Sequence, residues 1–480
     1  MAKQHECSYR SEAEDLRAQV AAMKERLDEL ERTLAGEKRR AIGRTTERKK
    51  PTPKGETRPK NDERAQAKRK ANRETRDSAP VESVEHRIPD PERMTCSACG
   101  GSSFIDLARD VSSEYEWKPG RLVRKLHMRE TRCCSACKQI VRAPAPARVV
   151  DGGQYGPGFL AHTITQKCAD CIPLHRQVKA LAREGLHVAP STLVDLFHRG
   201  AGLIEPIYLL LLSRIPTSPV VYADETSLKM QRVEKLGFVW TFASPEVIVY
   251  RYSADRSGDT PGEVLGESEG VLVVDGYTGY NHVTKPGRRR RAGCSAHARR
   301  KFVDIDDDGA RLIVERFGDV FRVERDAAEK NVVGTPQHLE MRQTRSKAAM
   351  DALKKWCDDN AGQYGPKSPM GQAIGYIQNQ WDPLTVFLDD IRIEPSNMIS
   401  ERLLRTIALG RKNYLFVGHK DAGQNLAMLC SIISTCVLHG VNPTTYLADV
   451  FIRVQTHPTN RIDELAPHRW KQLGAAPTAE

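Results

Sequence analysis

Hydrophobic and polar positions divide the chain into stretches of different period. Leu16, Val20, Met23, Leu27, Leu30 and Leu34 recur in alternating steps of four and three, with Glu, Arg and Lys between them. That spacing predicts a short two-stranded coiled coil over residues 1–36, and with it a homodimer or larger assembly. One amphipathic helix packed on its own chain is the competing reading. Residues 37–92 carry almost no apolar side chains, so no core forms there. Within residues 93–143, the stretch 107–132 alternates like a β hairpin around Pro119-Gly120. From 144 to 215 the pattern is helical, and PLHRQVKALAREGLHVAPSTLVDLFHRG predicts a helix, a turn centred on Gly185 and a second helix capped by Ser191. This resembles a helix-turn-helix, and a plain helical hairpin fits it equally.

Residues 216–302 are rich in strand patterns. PVVYAD (219–224) and VLVVD (271–275) are buried-strand runs, each stopping on an aspartate. Between them, GFVWTFAS and VIVYRYS suit a hairpin and SGDTPGEVLG a polar helix. A fifth strand is expected around 293–296. Residues 303–390 show helical periodicity and no convincing strand. Residues 391–445 include the strongly helical SNMISERLLRTIALGRKN, and 446–480 form a tail. The expectation is a multidomain α+β protein.

A chain of 480 residues is too long for a single core. No run of about 18 apolar residues predicts a membrane span, and no apolar segment follows the N-terminus as an export signal would. A cytoplasmic protein without a membrane partner is expected. Net charge is +12, and residues 38–76 hold 16 Lys and Arg against 5 Asp and Glu. This segment reads as a basic arm that gathers DNA by counterion release, or as a solvated linker. Twelve cysteines without an export signal point to metal rather than disulfides. Cys96 and Cys99, then Cys134 and Cys137, make two C-x-x-C knuckles that suit one structural Zn2+, with no open position for a substrate. Cys133 stands beside the second knuckle without its spacing. Cys168 and Cys171 have no partner knuckle and read as core cysteines.

The chemistry centres on acids. In α/β sheets, sites form at the carboxyl ends of strands. Asp224 and Asp275 stand at two such ends, and Glu401 stands on a helix. Together they offer hard oxygen ligands for two Mg2+ or Mn2+ ions over a phosphodiester. Glu225, Asp255 and Asp259 compete for that role, although Glu225 faces away from Asp224 in a strand. Cations flank the acids: Arg288, Arg289, Arg290 and Arg291 on one side, Arg299, Arg300 and Lys301 on the other. Arg405, Arg411 and Lys412 follow Glu401 on its helix. All ten are candidates for DNA phosphate, with plain surface charge as the alternative. His297 reads as structural or DNA-touching, and Trp381 as core packing or base stacking.

VVYADET, VDGYTGY, GCSAHARRKF, the NMISER helix and ALGRKNYLFVGHKDAG together resemble the transposases of the IS66 insertion-sequence family. RQTRSKAAMDALKKW and HPTNRIDELAPHRW extend the likeness over nearly the whole chain. The resemblance implies an RNase H-like catalytic core interrupted by an all-helical insertion, with Asp224, Asp275 and Glu401 as the catalytic DDE triad. It implies DNA ends and target DNA as substrates, a bacterial cell as the setting, and accessory transposition proteins as possible partners. It departs from the family where Ser396-Asn397-Met398 replaces an Asp-Asn-Asn run and Ser295 replaces a Trp. Two other functions share these features: a zinc-containing DNA-binding regulator with an inactive core, and a plain metal-dependent nuclease.

Overall fold

The computed structural model describes residues 131–133, 140–142, 147–150, 153–231, 236–414 and 417–470. The expected coiled coil, the basic segment and the cysteines Cys96, Cys99, Cys134 and Cys137 lie outside the described residues. Every described residue belongs to one compact unit, Lys118–Glu480.

Strands β1 (Thr131–Cys133) and β2 (Ile140–Arg142) pair antiparallel on either side of the second cysteine knuckle. Three helices follow: α1 (Pro157–Cys168), α2 (Leu174–Arg183) and α3 (Pro190–Arg214). Gly185 lies between α2 and α3 with φ +85°, a conformation that costs glycine nothing. The expected Ser191 cap is not formed. The cap residue is Ala189, and Pro190 opens the helix with its ready-made φ. One face of α3 (Leu193, Leu196, Phe197, Ile204, Ile207, Leu211) is buried in the core along its whole length.

The central sheet has the order β5-β4-β3-β6-β7. β3 (Val220–Leu228), β4 (Gly237–Ala243) and β5 (Ile248–Ser253) form an antiparallel meander, of which the hydrophobic pattern predicts the β4–β5 hairpin. Helix α4 (Asp259–Leu265) then leads to β6 (Val271–Val273) and β7 (Arg290–Ala292), which add in parallel on the other side of β3. Two strand boundaries differ from expectation. β3 does not stop at Asp224: it runs on to Leu228, because Asp224 still pairs with Thr241 of β4. The last strand is Arg290–Ala292 rather than 293–296, since Cys294 already takes the cap position of helix α5 (Ser295–Val303).

After β7 the described chain is helical: α5, α6 (Asp308–Glu329), α7 (Pro336–Met341), a π turn at Arg342–Ser346, α8 (Lys347–Asn360), α9 (Pro369–Asn379) and α10 (Trp381–Thr385). Trp381 is half-buried against the core, with the Lys354 ammonium 5.8 Å from its ring centroid. The chain returns to the sheet with α11 (Met398–Tyr414), α12 (Lys420–Leu438) and α13 (Pro443–Arg453). α12 is long and apolar enough to cross a membrane, but 61% of that stretch is buried within the protein. It covers the edge strand β5, where Thr435 Oγ1 accepts the Ile248 N–H at 3.1 Å and Ser431 Oγ accepts the Tyr250 N–H at 2.7 Å. A sheet edge that would otherwise invite pairing is thereby closed.

Candidate active site

The register of the sheet brings the two aspartates together. β3 and β6 pair in parallel as Val220↔Val271, Val221↔Leu272 and Tyr222↔Val273. Two residues further along each chain stand Asp224, still within β3, and Asp275, in the loop just past β6, close enough that Asp275 helps raise the Asp224 carboxyl. A step of two along β3 keeps Asp224 on the face of Tyr222. Each carboxylate is oriented by the backbone: Asp224 Oδ1 accepts the Glu225 N–H and Asp275 Oδ1 accepts the Tyr277 N–H, both at 2.9 Å.

Glu401 stands in the first turn of α11, and the start of that helix is tied to both aspartate-bearing segments. Asn397 donates through Nδ2 to the Ala223 carbonyl at 2.7 Å, one residue before Asp224. Its backbone N–H donates to Cys294 Sγ at 3.1 Å, and the Ser295 N–H donates to the Pro395 carbonyl at 2.9 Å. Glu401 Oε1 lies 3.4 Å from His297 Nε2 and 3.5 Å from an Arg300 guanidinium nitrogen, both on α5.

The Asp275 loop is braced twice. Arg291 donates to the Asp275 carbonyl at 2.7 Å and the Tyr277 carbonyl at 2.6 Å. From the helical segment, Tyr376 of α9 packs so closely on Gly276 that a Cβ there would lie 2.8 Å from its ring. Glu225 faces the opposite way, as strand alternation requires. Its carboxylate accepts Arg256 Nε at 2.7 Å and the Tyr280 hydroxyl at 2.8 Å, which removes it from competition. Asp259 accepts the Ser257 hydroxyl, and Asp255 accepts the Ser257 N–H.

Electrostatics link the three acids. Burial pushes the Asp224 carboxyl up to about 7, with further pressure from Glu225, Asp275 and Glu401, against the pull of the Glu225 N–H. Glu401 Oε1 is buried and accepts no hydrogen bond. The mutual repulsion of these carboxylates fits a divalent cation, whose ligands are hard oxygens. Among the described residues, no three acidic, imidazole or thiol groups are already gathered at ligating distance. In this arrangement Glu401 is drawn toward His297 and Arg300.

The candidate DNA-binding cations divide by burial. Arg289 is 1% exposed and gives its nitrogens to Ser268 Oγ and to the carbonyls of Pro216, Ser218 and Val271. Its assignment to DNA is therefore corrected: it is an internal brace. Arg291 is spent on the Asp275 loop, and Arg411 on Thr226 and Ser227 of β3. Arg288 pairs with Glu267. Arg290, Arg300, Lys301, Arg405 and Lys412 are exposed, and Arg299 is half-buried. Cys168 and Cys171 are buried, as expected of core cysteines. The Asn397 junction and the Tyr376–Gly276 contact were not singled out from the sequence. Asn397 sat in plain view in the NMISER run, but nothing local marks an asparagine as joining three segments.

Comparison with known proteins adds a family. The description "Transposase IS66 family" matches residues 152–425, and "IS66 C-terminal element" matches residues 431–468. The chain is similar to uncharacterized protein y4jD of Sinorhizobium fredii (strain NBRC 101917 / NGR234), at 33% identity over 417 residues covering 81% of each chain. Uncharacterized protein y4hP of the same organism is 30% identical over 413 residues, covering 80% of this chain and 74% of the relative.

Proposed function

The chain belongs to the IS66 family of transposases, and on that premise we propose that it cuts and joins DNA at a site made of Asp224, Asp275 and Glu401. The observation that supports this reading is that Asp224 of β3, Asp275 just past the neighbouring β6 and Glu401 in the first turn of α11 lie near enough for Asp275 and Glu401 to raise the Asp224 carboxyl. The strand order supports an RNase H-like core: an antiparallel meander ending at the central β3, then two parallel strands, then a helical insertion before the glutamate helix.

Two Mg2+ or Mn2+ ions held by the three carboxylates would activate the attacking oxygen and relieve charge on the leaving 3′ oxygen. The protein's own part is placement. The β3–β6 ladder and Arg291 hold Asp224 and Asp275, while Asn397 and Pro395 fix the start of α11. Glu401 turns from His297 and Arg300 toward the aspartates, which frees Arg300 for phosphate. Exposed Arg290, Arg300, Lys301, Arg405 and Lys412, with Arg299, track the DNA backbone. At each element end, water attacks phosphorus, the bond to the 3′ oxygen breaks, and the flank keeps a 5′-phosphate. The freed 3′-hydroxyl then attacks a target phosphodiester and displaces the target's own 3′ oxygen. The same reading assigns one structural Zn2+ to Cys96, Cys99, Cys134 and Cys137, and pairing of two copies to the N-terminal seam.

Incubating the full-length chain with end-sequence DNA, target DNA and Mg2+ tests the proposal. Joined products are expected from the wild type and are abolished by EDTA. Asp275→Ala should still bind ends but neither cut nor join. Cut products alone would make the protein a nuclease, and an active Asp275→Ala would remove the triad.

A further inference from the structure

We infer that Asn397 is the positioning residue that sets Glu401 against Asp224, an assignment that rests on the proposed triad. Its side chain is fully buried, and its contacts reach two distant segments and the first turn of its own helix. Through Nδ2 it holds the Ala223 carbonyl at 2.7 Å, just beyond the last β3–β6 pair and one residue before Asp224. Through its backbone N–H it reaches the thiol of Cys294, which caps the helix carrying His297 and Arg300. Through its own carbonyl it accepts the Glu401 N–H at 3.3 Å, which closes the first turn of α11.

Glu401 is therefore one helical turn from a residue clamped to the Ala223 carbonyl, one residue before Asp224. A helical turn is stiff, so the clamp fixes where the Glu401 carboxylate begins its approach. The amide orientation is dictated by its partner. Only the NH2 group can face a carbonyl, and the reversed amide would oppose two oxygens. Oδ1 is buried without a hydrogen bond, so the Nδ2 contact alone orients the side chain. Asp is nearly isosteric but lacks the donor, which makes Asn397→Asp the discriminating change.

The experiment uses the full-length chain and four measurements: thermal unfolding, end-DNA binding, Mn2+ binding without DNA by electron paramagnetic resonance, and cleavage against Mg2+ concentration. Asn397→Asp and Asn397→Ser should fold and bind ends as the wild type does. Mn2+ affinity should fall, and half-maximal Mg2+ should rise, on the order of tenfold, as expected when a group that orients metal ligands is lost. The maximal cleavage rate should drop roughly a hundredfold if Glu401 moves by about 1 Å. Wild-type Mn2+ affinity and cleavage in a folded Asn397→Asp would overturn the inference. Unfolding of both variants would also overturn it, since the residue would then serve the fold and not the site. Glu401→Gln is the control for the underlying reading. If it cleaves normally, the triad itself fails; if it is inactive while the Asn397 variants are normal, only the positioning role fails.

Discussion

Replacing Asp224 with asparagine should make the protein without metal more stable at pH 8. Burial and the nearby Glu225, Asp275 and Glu401 raise the Asp224 carboxyl from 3.8 to about 7. The folded chain therefore holds a proton there that the unfolded chain has released. The sign follows: between about pH 4 and pH 7 the wild type loses stability as pH rises, because ionisation is more costly in the fold than out of it. The full interval corresponds to about 4 kcal/mol, an upper bound at a site open at the sheet edge. A gain of about 1–2 kcal/mol for Asp224→Asn is the realistic expectation, or roughly 1–3 °C in melting temperature for a unit of this size. Asparagine keeps an oxygen for the Glu225 N–H, so the orienting hydrogen bond survives. Thermal unfolding in EDTA at pH 5 and pH 8 reads the effect as the difference between the two proteins, which cancels every other titrating group. Mg2+ at pH 8 should stabilise the wild type much more than the variant. The reasoning is refuted if the difference does not grow between pH 5 and pH 8, or if Mg2+ stabilises both equally.

Arg289→Ala should cost about 3 kcal/mol or more, because it strips partners from buried carbonyls and leaves a cavity, whereas Arg405→Ala should be neutral within about 0.5 kcal/mol. DNA binding separates the pair the other way: Arg405→Ala should lower the slope of log affinity against log salt by about one. Gly276→Ala should cost about 1–3 kcal/mol by pressing on the Tyr376 ring, and should slow cleavage by displacing the Asp275 loop. Denaturant unfolding with a cleavage assay checks it, and unaltered cleavage would show that the loop yields without moving the acid. Arg342 is 2% exposed, paired with Glu324 at 2.7 Å and bonded to the Phe387 and Ile393 carbonyls. Arg342→Ala should therefore cost about 3–5 kcal/mol by urea unfolding, the range for breaking a buried pair.

The parts of this site that were legible in the sequence are those whose signal is local. A run of Val and Leu ending near an aspartate marks a buried strand and its acid, and Asp224 and Asp275 of the proposed site were read that way. The exact ends of strands were not legible, because pairing decides them: β3 continues past Asp224 only because β4 continues beside it. The basic run 288–291 shows the limit most plainly. Read along the chain, its four arginines are equivalent cations. In the fold they part: Arg289, just before the strand Arg290–Ala292, is buried, Arg291 reaches the Asp275 loop and Arg290 meets solvent. Charge in a sequence predicts where DNA is wanted, but burial decides which guanidinium reaches it, and burial is set by partners far away, such as Pro216 and Ser218. The same holds for Asn397, whose partners Ala223 and Cys294 lie more than a hundred residues earlier. A site assembled from strands and helices so distant in sequence announces its acids locally. The groups that place those acids are visible only once the sheet has closed.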